Sequence, residues 1–187
     1  NDISLLDNDN IEAAGGFTYE TWFKWNGAGA VNSIIDYAGT DKFVIDQRDG
    51  ATTTLAMRLD PNDFAIGDAV AGQWHYVAFV FDSGGNSQVA DTITGNATAY
   101  FDSLDPIDLG EVTKSAFGDS LARPIGIGQH PIGFDLDFFD GSVYETRVSL
   151  GALGANELLF IPEPSSGIAL VLGLVSLVSC IARRRRR

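Results

Sequence analysis

The sequence is poor in the side chains that build zinc sites and disulfide frameworks. One cysteine and two histidines in 187 residues are too few for a Cys/His zinc centre or a disulfide scaffold. Basic residues are also scarce, with 12 Lys and Arg against 25 Asp and Glu, and five of the 12 are the last five residues. The chain before those five has a formal charge of −18. A body this acidic repels phosphate backbones, which excludes nucleic acid as its partner.

Long hydrophobic runs are absent except for one, residues 167–182, which carries no charge. It follows Pro162, Glu163 and Pro164 and ends in the cluster Arg183, Arg184, Arg185, Arg186 and Arg187. As a helix it would span about 24 Å, and arginine stems reach the interface from slightly inside the bilayer. Arginine clusters stay cytoplasmic. We therefore expect one transmembrane helix over 167–182, with the C-terminus in the cytoplasm and the acidic body outside.

These three parts, in this order, resemble the PEP-CTERM sorting signal of bacteria. The resemblance implies that Pro162, Glu163 and Pro164 are the motif recognised by an exosortase, a membrane protease that removes the tail, and that the five arginines retain the chain in the membrane. It also implies abundant exopolysaccharide. We expect an exported protein that is transiently anchored in the inner membrane and then reaches the cell surface or extracellular matrix. Export requires an N-terminal signal peptide, and the sequence, which begins with an Asn, does not start with one. We therefore expect a fragment or a trimmed chain.

The body consists of short segments with the period of β-strands. Residues 17–25 and 51–60 alternate apolar and polar side chains, which is typical of half-buried strands. Residues 74–81 are apolar on both faces, which predicts a central strand. Shorter runs at 33–37, 43–45, 97–101, 125–127 and 142–148 are separated by Gly, Asn, Asp and Pro, and 152–159 suggests a short helix. Such a pattern favours a β-sandwich or barrel. The expected core comprises Phe17, Tyr19, Phe23, Leu55, Leu59, Trp74, Val77, Phe79, Val143 and Val148.

The order of five segments resembles that of the laminin G-like, or concanavalin A-like, domain. These are a first long strand (17–24), a turn into a central strand (72–78), a hairpin (100–104) with Ser103 where Gly is usual, a closing strand (140–148) and a short helix (152–158). The resemblance implies an all-β jelly-roll sandwich of two antiparallel sheets. It places this domain at residues 1–160 and the sorting tail at 161–187.

The sequence contains few candidates for catalysis. There is no Gly-x-Ser-x-Gly elbow, so we interpret His75 as structural. Asp135 and Asp137 lie on one side of an extended segment, about 6.5–7 Å apart, but the paired Glu spacing of glycosidases on this sandwich is missing. We therefore expect no enzyme activity.

The same acids are candidates for calcium. Asp135, Asp137 and Asp140 lie close in sequence, and carboxylate oxygens are ligands that Ca²⁺ prefers. The laminin G-like resemblance implies such a site, although Tyr144 stands where the family's closing strand often has Asp. Solvated surface acids are the alternative.

An exposed aromatic side chain would offer a surface on which a sugar stacks. Trp22 points away from the apolar face of 17–25, which makes it the candidate. We expect Trp25 and Trp74 to pack in the core or at its edge.

These features favour a secreted, non-catalytic recognition or adhesion module that engages extracellular polysaccharide or an envelope protein. A glycoside hydrolase or lyase on the same sandwich is the alternative, and a purely structural matrix protein is a third. An acid pair in a groove would indicate the enzyme, and exposed aromatics in a groove would indicate the lectin.

Overall fold

The computed structural model describes residues 8–28, 31–37, 41–46, 53–59, 62–89, 92–115, 125–129 and 138–160. The predicted sorting tail, 161–187, lies outside these residues. Neither described helix is long and apolar enough to cross a bilayer.

The described strands form two antiparallel five-stranded sheets. The first, called here the front sheet, has the order β10-β1-β6-β7-β8, and the second, the back sheet, has the order β5-β4-β3-β2-β9. The elements in chain order are α1 (Asn8–Ala14), β1 (Gly16–Trp25), β2 (Val31–Tyr37), β3 (Asp41–Asp46), β4 (Thr54–Leu59), β5 (Asn62–Asp68), β6 (Trp74–Asp82), β7 (Thr92–Phe101), β8 (Ile107–Ser115), β9 (Ile125–Ile127), β10 (Gly141–Leu150) and a 3₁₀ turn (Ala155–Glu157).

The core lies between the inner faces of the two sheets. Strand alternation places Phe17, Tyr19 and Phe23 of β1 on the inner face, and all three are fully buried. The rings of Tyr19 and Phe43, one from each sheet, meet edge-on with centroids 6.4 Å apart. Burial of each such side chain contributes about 1.5–3 kcal/mol, so this face is the main source of stability.

The expected two-sheet sandwich is confirmed, and so is most of the expected core. Of the ten positions, seven are buried, and Val143 and Val148 are partly buried against the core. Trp74 is the error, since 42% of it is exposed. Trp74 is the first residue of β6 and pairs with Lys24. Its side chain therefore lies on the outer face of the front sheet, the face opposite the core.

Two strands and one helix were not expected from the sequence. These are β5, β8 and α1, and α1 contributes the fully buried Ile11 to the core. The expected helix over 152–159 is shorter and is a 3₁₀ turn at Ala155–Glu157.

Candidate binding surface

The outer face of the front sheet is partly covered by the last described segment, residues 151–160, which we call the C-terminal strap. Its start is held at Thr18, whose hydroxyl donates to the Gly151 carbonyl at 2.9 Å and accepts from the Leu153 N–H at 3.1 Å. Leu158 of the strap packs on Tyr76 in a second hydrophobic cluster, separate from the inter-sheet core. The strap therefore gives this half of the outer face an apolar cover.

A buried polar network fixes the far end of the strap. The carboxylate of Glu20 is fully buried and accepts hydrogen bonds from Arg147 Nε at 2.6 Å, the Tyr76 hydroxyl at 2.7 Å and the Leu159 N–H at 2.6 Å. Arg147 also donates to the Glu157 carbonyl of the strap. Burial, and then the hydrogen bond to Glu20, raise the pKa of Tyr76 above its usual range, so the hydroxyl remains a donor.

Beyond the strap, the same face exposes an aromatic pair. Trp74 is 42% exposed and Tyr144 is 64% exposed. Their ring centroids lie 6.3 Å apart with an angle of 75° between the planes. Trp74 is the partner of Lys24 across β1–β6, and Tyr144 is the partner of Trp22 across β1–β10. Lys24, Trp74 and Tyr144 form a corner of two rings beside an ammonium group, which we call the aromatic patch.

A β-bulge determines that Tyr144 faces outward. The β1–β10 register shifts at Thr21/Trp22, so that Glu145 has no partner on β1, and Glu145 has a φ of 48°. Without the extra residue, Tyr144 would stand opposite Phe23, on the core-facing side, because a one-residue slip exchanges the two faces of a strand. Positive φ at a non-glycine residue costs about 1–3 kcal/mol. The bulge that exposes Tyr144 therefore lowers the stability of the fold.

Lys24 supplies the charge of the aromatic patch. Its Nζ lies 5.5 Å from the centroid of the Trp74 ring, in a cation–π arrangement. It forms no salt bridge with any residue that the structure describes. The ammonium can therefore donate hydrogen bonds to a ligand that contacts the indole.

The sequence relationship agrees with this architecture. Residues 1–159 match the family described as the concanavalin A-like lectin/glucanases superfamily. The chain belongs to this superfamily. No curated protein matches the chain in sequence.

Two solved structures have a similar fold at low sequence identity. A candidate carbohydrate-binding protein from Bacteroides ovatus is 18% identical with a TM-score of 0.57, over 77% of this chain and 40% of that protein. The heptameric SAP-like pentraxin from Limulus polyphemus is 17% identical with a TM-score of 0.50, over 76% of this chain and 67% of the pentraxin. The chain thus spans well under half the length of the Bacteroides protein. At these identities the similarity shows the fold alone.

In this superfamily member, both ring nitrogens of His75 are engaged. Nδ1 lies 2.7 Å from Asp102 Oδ2, and Nε2 accepts the Val70 N–H at 2.9 Å. The ring stacks on Phe101 with centroids 5.4 Å apart. Asp102 also accepts the Tyr76 N–H at 2.8 Å. These bonds join the start of β6 to the β7–β8 turn, which gives His75 the structural role expected of it. The sequence did not indicate Asp102 as its partner, since the two residues lie 27 positions apart in the chain.

Trp22, the residue first expected to carry a sugar, packs beneath the strap. Its ring stacks on Phe160 with centroids 5.9 Å apart and an interplanar angle of 9°, and it contacts Tyr76 at 5.4 Å. It borders the aromatic patch as the cross-strand partner of Tyr144. Trp22 as a ligand-binding residue stays a prediction, and Trp74 and Tyr144 are exposed aromatic residues that the sequence did not indicate.

The calcium prediction stays a prediction. Asp135 and Asp137 lie outside the described residues. Asp140 accepts a hydrogen bond from the Asn26 amide at 3.0 Å, and its own N–H donates to Asn32, so it fastens the start of β10 to β1 and β2. Among the described residues, no three acidic, histidine or cysteine side chains converge. Asp140 is thus the one proposed ligand whose surroundings are known. The sorting residues 162–164 and 183–187 also lie outside.

Proposed function

We propose that this domain is a non-catalytic carbohydrate-binding module and that the aromatic patch is its binding surface. The observation that carries the proposal is the pair of exposed rings at right angles beside Lys24. The C–H face of a sugar ring packs on an aromatic face, while its hydroxyls accept hydrogen bonds from a nearby ammonium. The superfamily membership supports this proposal, as does the fold shared with a candidate carbohydrate-binding protein.

In this proposal each residue of the patch has a role. Trp74 is the stacking surface, Tyr144 is the perpendicular wall, and Lys24 is the hydrogen-bond donor. Contacts among the three side chains hold them before a ligand arrives, so little rotamer entropy is lost on binding. We infer a modest affinity for one sugar unit, raised by repeated contact along a polysaccharide chain.

The test is a glycan array and a polysaccharide binding assay with the purified protein. We expect Trp74→Ala to abolish binding and Tyr144→Ala to weaken it about tenfold, the loss of one good contact. Ile127→Ala is the matched control, because Ile127 is equally exposed but lies on β9 of the other sheet. Binding by Trp74→Ala at the wild-type level would overturn the proposal.

We further propose that the protein is exported and sorted at the bacterial envelope, where exopolysaccharide is its partner. The support is in the sequence: an acidic body, then Pro162, Glu163 and Pro164, an uncharged run and five arginines. An exosortase would cleave near the motif and release the domain from the inner membrane. Mass spectrometry of the protein from its host should find chains without Arg183–Arg187, and a Glu163→Ala variant should retain them. Retention in both would mean a permanent anchor.

A further inference from the structure

The aromatic patch carries one positive charge, that of Lys24, and an acidic residue follows Tyr144 in the chain. Glu145, next to Tyr144 on the bulge, is exposed. Asp102, whose side chain is 42% exposed, accepts the N–H of Tyr76, two residues after Trp74 on β6. The hydrogen bonds of Asp102 to His75 and Tyr76 fix its carboxylate in place. A long ligand that extends beyond the patch therefore meets exposed carboxylates as well as the Lys24 ammonium.

The rest of the described surface is mainly negative. Of the seven basic residues before the terminal arginines, five are described. Apart from Lys24, Lys42 pairs with Asp36, Arg58 with Asp63 and Arg147 with Glu20, and Lys114 is fully buried. Exposed acids are numerous: Asp63, Asp68, Asp82, Asp102, Asp105, Asp108, Glu111, Glu145 and Glu157. A polymer lying on the domain would pass several of them within a Debye length of about 10 Å.

We infer that the aromatic patch selects uncharged polysaccharides and rejects acidic ones, such as polymers of uronic acids. Ring stacking attracts both kinds of sugar, so the discrimination comes from repulsion. A single partly exposed lysine adds little affinity for a carboxylate in water. An acidic polymer, in contrast, brings a charge with each unit to a body of formal charge −18. This inference rests on the proposed function, because it names the ligand class of the same surface.

The experiment compares neutral and acidic polymers by affinity electrophoresis of the full chain. The neutral probes are galactomannan, mixed-linkage β-glucan and dextran, and the acidic probes are alginate and polygalacturonate. Each is tested at about 0.02 M and about 0.5 M NaCl, which shortens the Debye length severalfold. We expect at least one neutral polymer to bind with an affinity that is equal at both salt concentrations and is lost in Trp74→Ala. We expect no Trp74-dependent binding of the acidic polymers at low salt, because any binding through the five terminal arginines is retained in Trp74→Ala.

A charge variant isolates the repulsion. Glu145→Lys should gain binding to alginate at low salt and lose it at high salt. Glu111→Lys makes the same charge change on β8, at the opposite edge of the sheet from β10, and should gain less.

The possible failures are distinguishable. If the wild type binds alginate more tightly at low salt, and Trp74→Ala abolishes that binding, the patch binds sugars but the inference is wrong. If no polymer binds in a way that depends on Trp74, the proposed function itself is wrong, and the inference falls with it.

Discussion

Replacing Arg147 by methionine should destabilise the domain strongly, although the side chain lies at the edge of the front sheet. The Glu20 carboxylate is fully buried, and Arg147 is its charge partner. Methionine keeps the apolar stem and removes the charge, so Glu20 retains only the hydrogen bonds from Tyr76 and the Leu159 N–H. Breaking a buried pair by removing one partner costs about 3–5 kcal/mol. Because the arginine side chain is 35% exposed, water replaces part of its effect, and we expect about 2–3 kcal/mol.

Urea unfolding at neutral pH measures this loss directly. The midpoint should fall without a change in slope, because the unfolded surface is the same. For a domain of this size, the loss corresponds to a fall in Tm of about 5–10 °C. Limited proteolysis supplies a second readout, since the arginine also holds the Glu157 carbonyl, and cleavage within the strap, residues 151–160, should become faster.

A double variant decides whether the buried charge is the cause. In Glu20→Gln/Arg147→Met the carboxylate is gone, while the amide oxygen still accepts from Tyr76 or Leu159. We expect this protein to be about 1 kcal/mol more stable than Arg147→Met alone, because no uncompensated charge remains. If the double variant is instead the less stable of the two, the uncompensated charge is not what destabilises Arg147→Met, and the reasoning is refuted.

Three further predictions test other parts of the fold. Gly67→Ala should cost about 1–3 kcal/mol in urea unfolding, because a Cβ there would lie 2.5 Å from the Phe101 ring; wild-type stability would show that the sheets can move apart freely. The free energy of unfolding should fall as the pH rises above about 10, since burial raises the pKa of Tyr76 and the unfolded chain releases this proton first. Tyr76→Phe should show a smaller fall over the same range, and an identical fall would exclude Tyr76 as the source. Glu145→Gly should raise stability by up to about 1 kcal/mol in thermal unfolding, because glycine adopts a φ of 48° without strain; a loss would mean that the bulge is not strained.

Alternation could be read from the sequence where one face of a strand is apolar and the other is not. In β1 and β4 this pattern placed Phe17, Tyr19, Leu55 and Leu59 in the core, and all four are buried. β5 was missed because Phe64 and Ile66 stand among Asn, Asp and Gly residues, which are typical of turns. β8 was missed for a related reason, since it is an edge strand interrupted by Gly110 at a φ of 81°.

The aromatic patch could not be predicted from the sequence. The orientation of its two rings depends on how strands pair with one another, which the sequence of a single strand does not determine. β6 is apolar on both faces, so its own sequence does not say whether Trp74 points inward. The outward orientation of Trp74 follows from its pairing with Lys24. It agrees with the position of Tyr76, two residues later on the same face, which packs against the strap. Tyr144 depends on the register of β10 against β1, and the unpaired Glu145 reverses the face that simple alternation from Thr146 would predict. Sequence periodicity therefore predicts the inter-sheet core of this sandwich. Which aromatic side chains are exposed on the outer face depends on one bulge and on where the strap crosses the sheet after β10. Substitutions on this outer face can therefore alter a binding surface without disturbing the core.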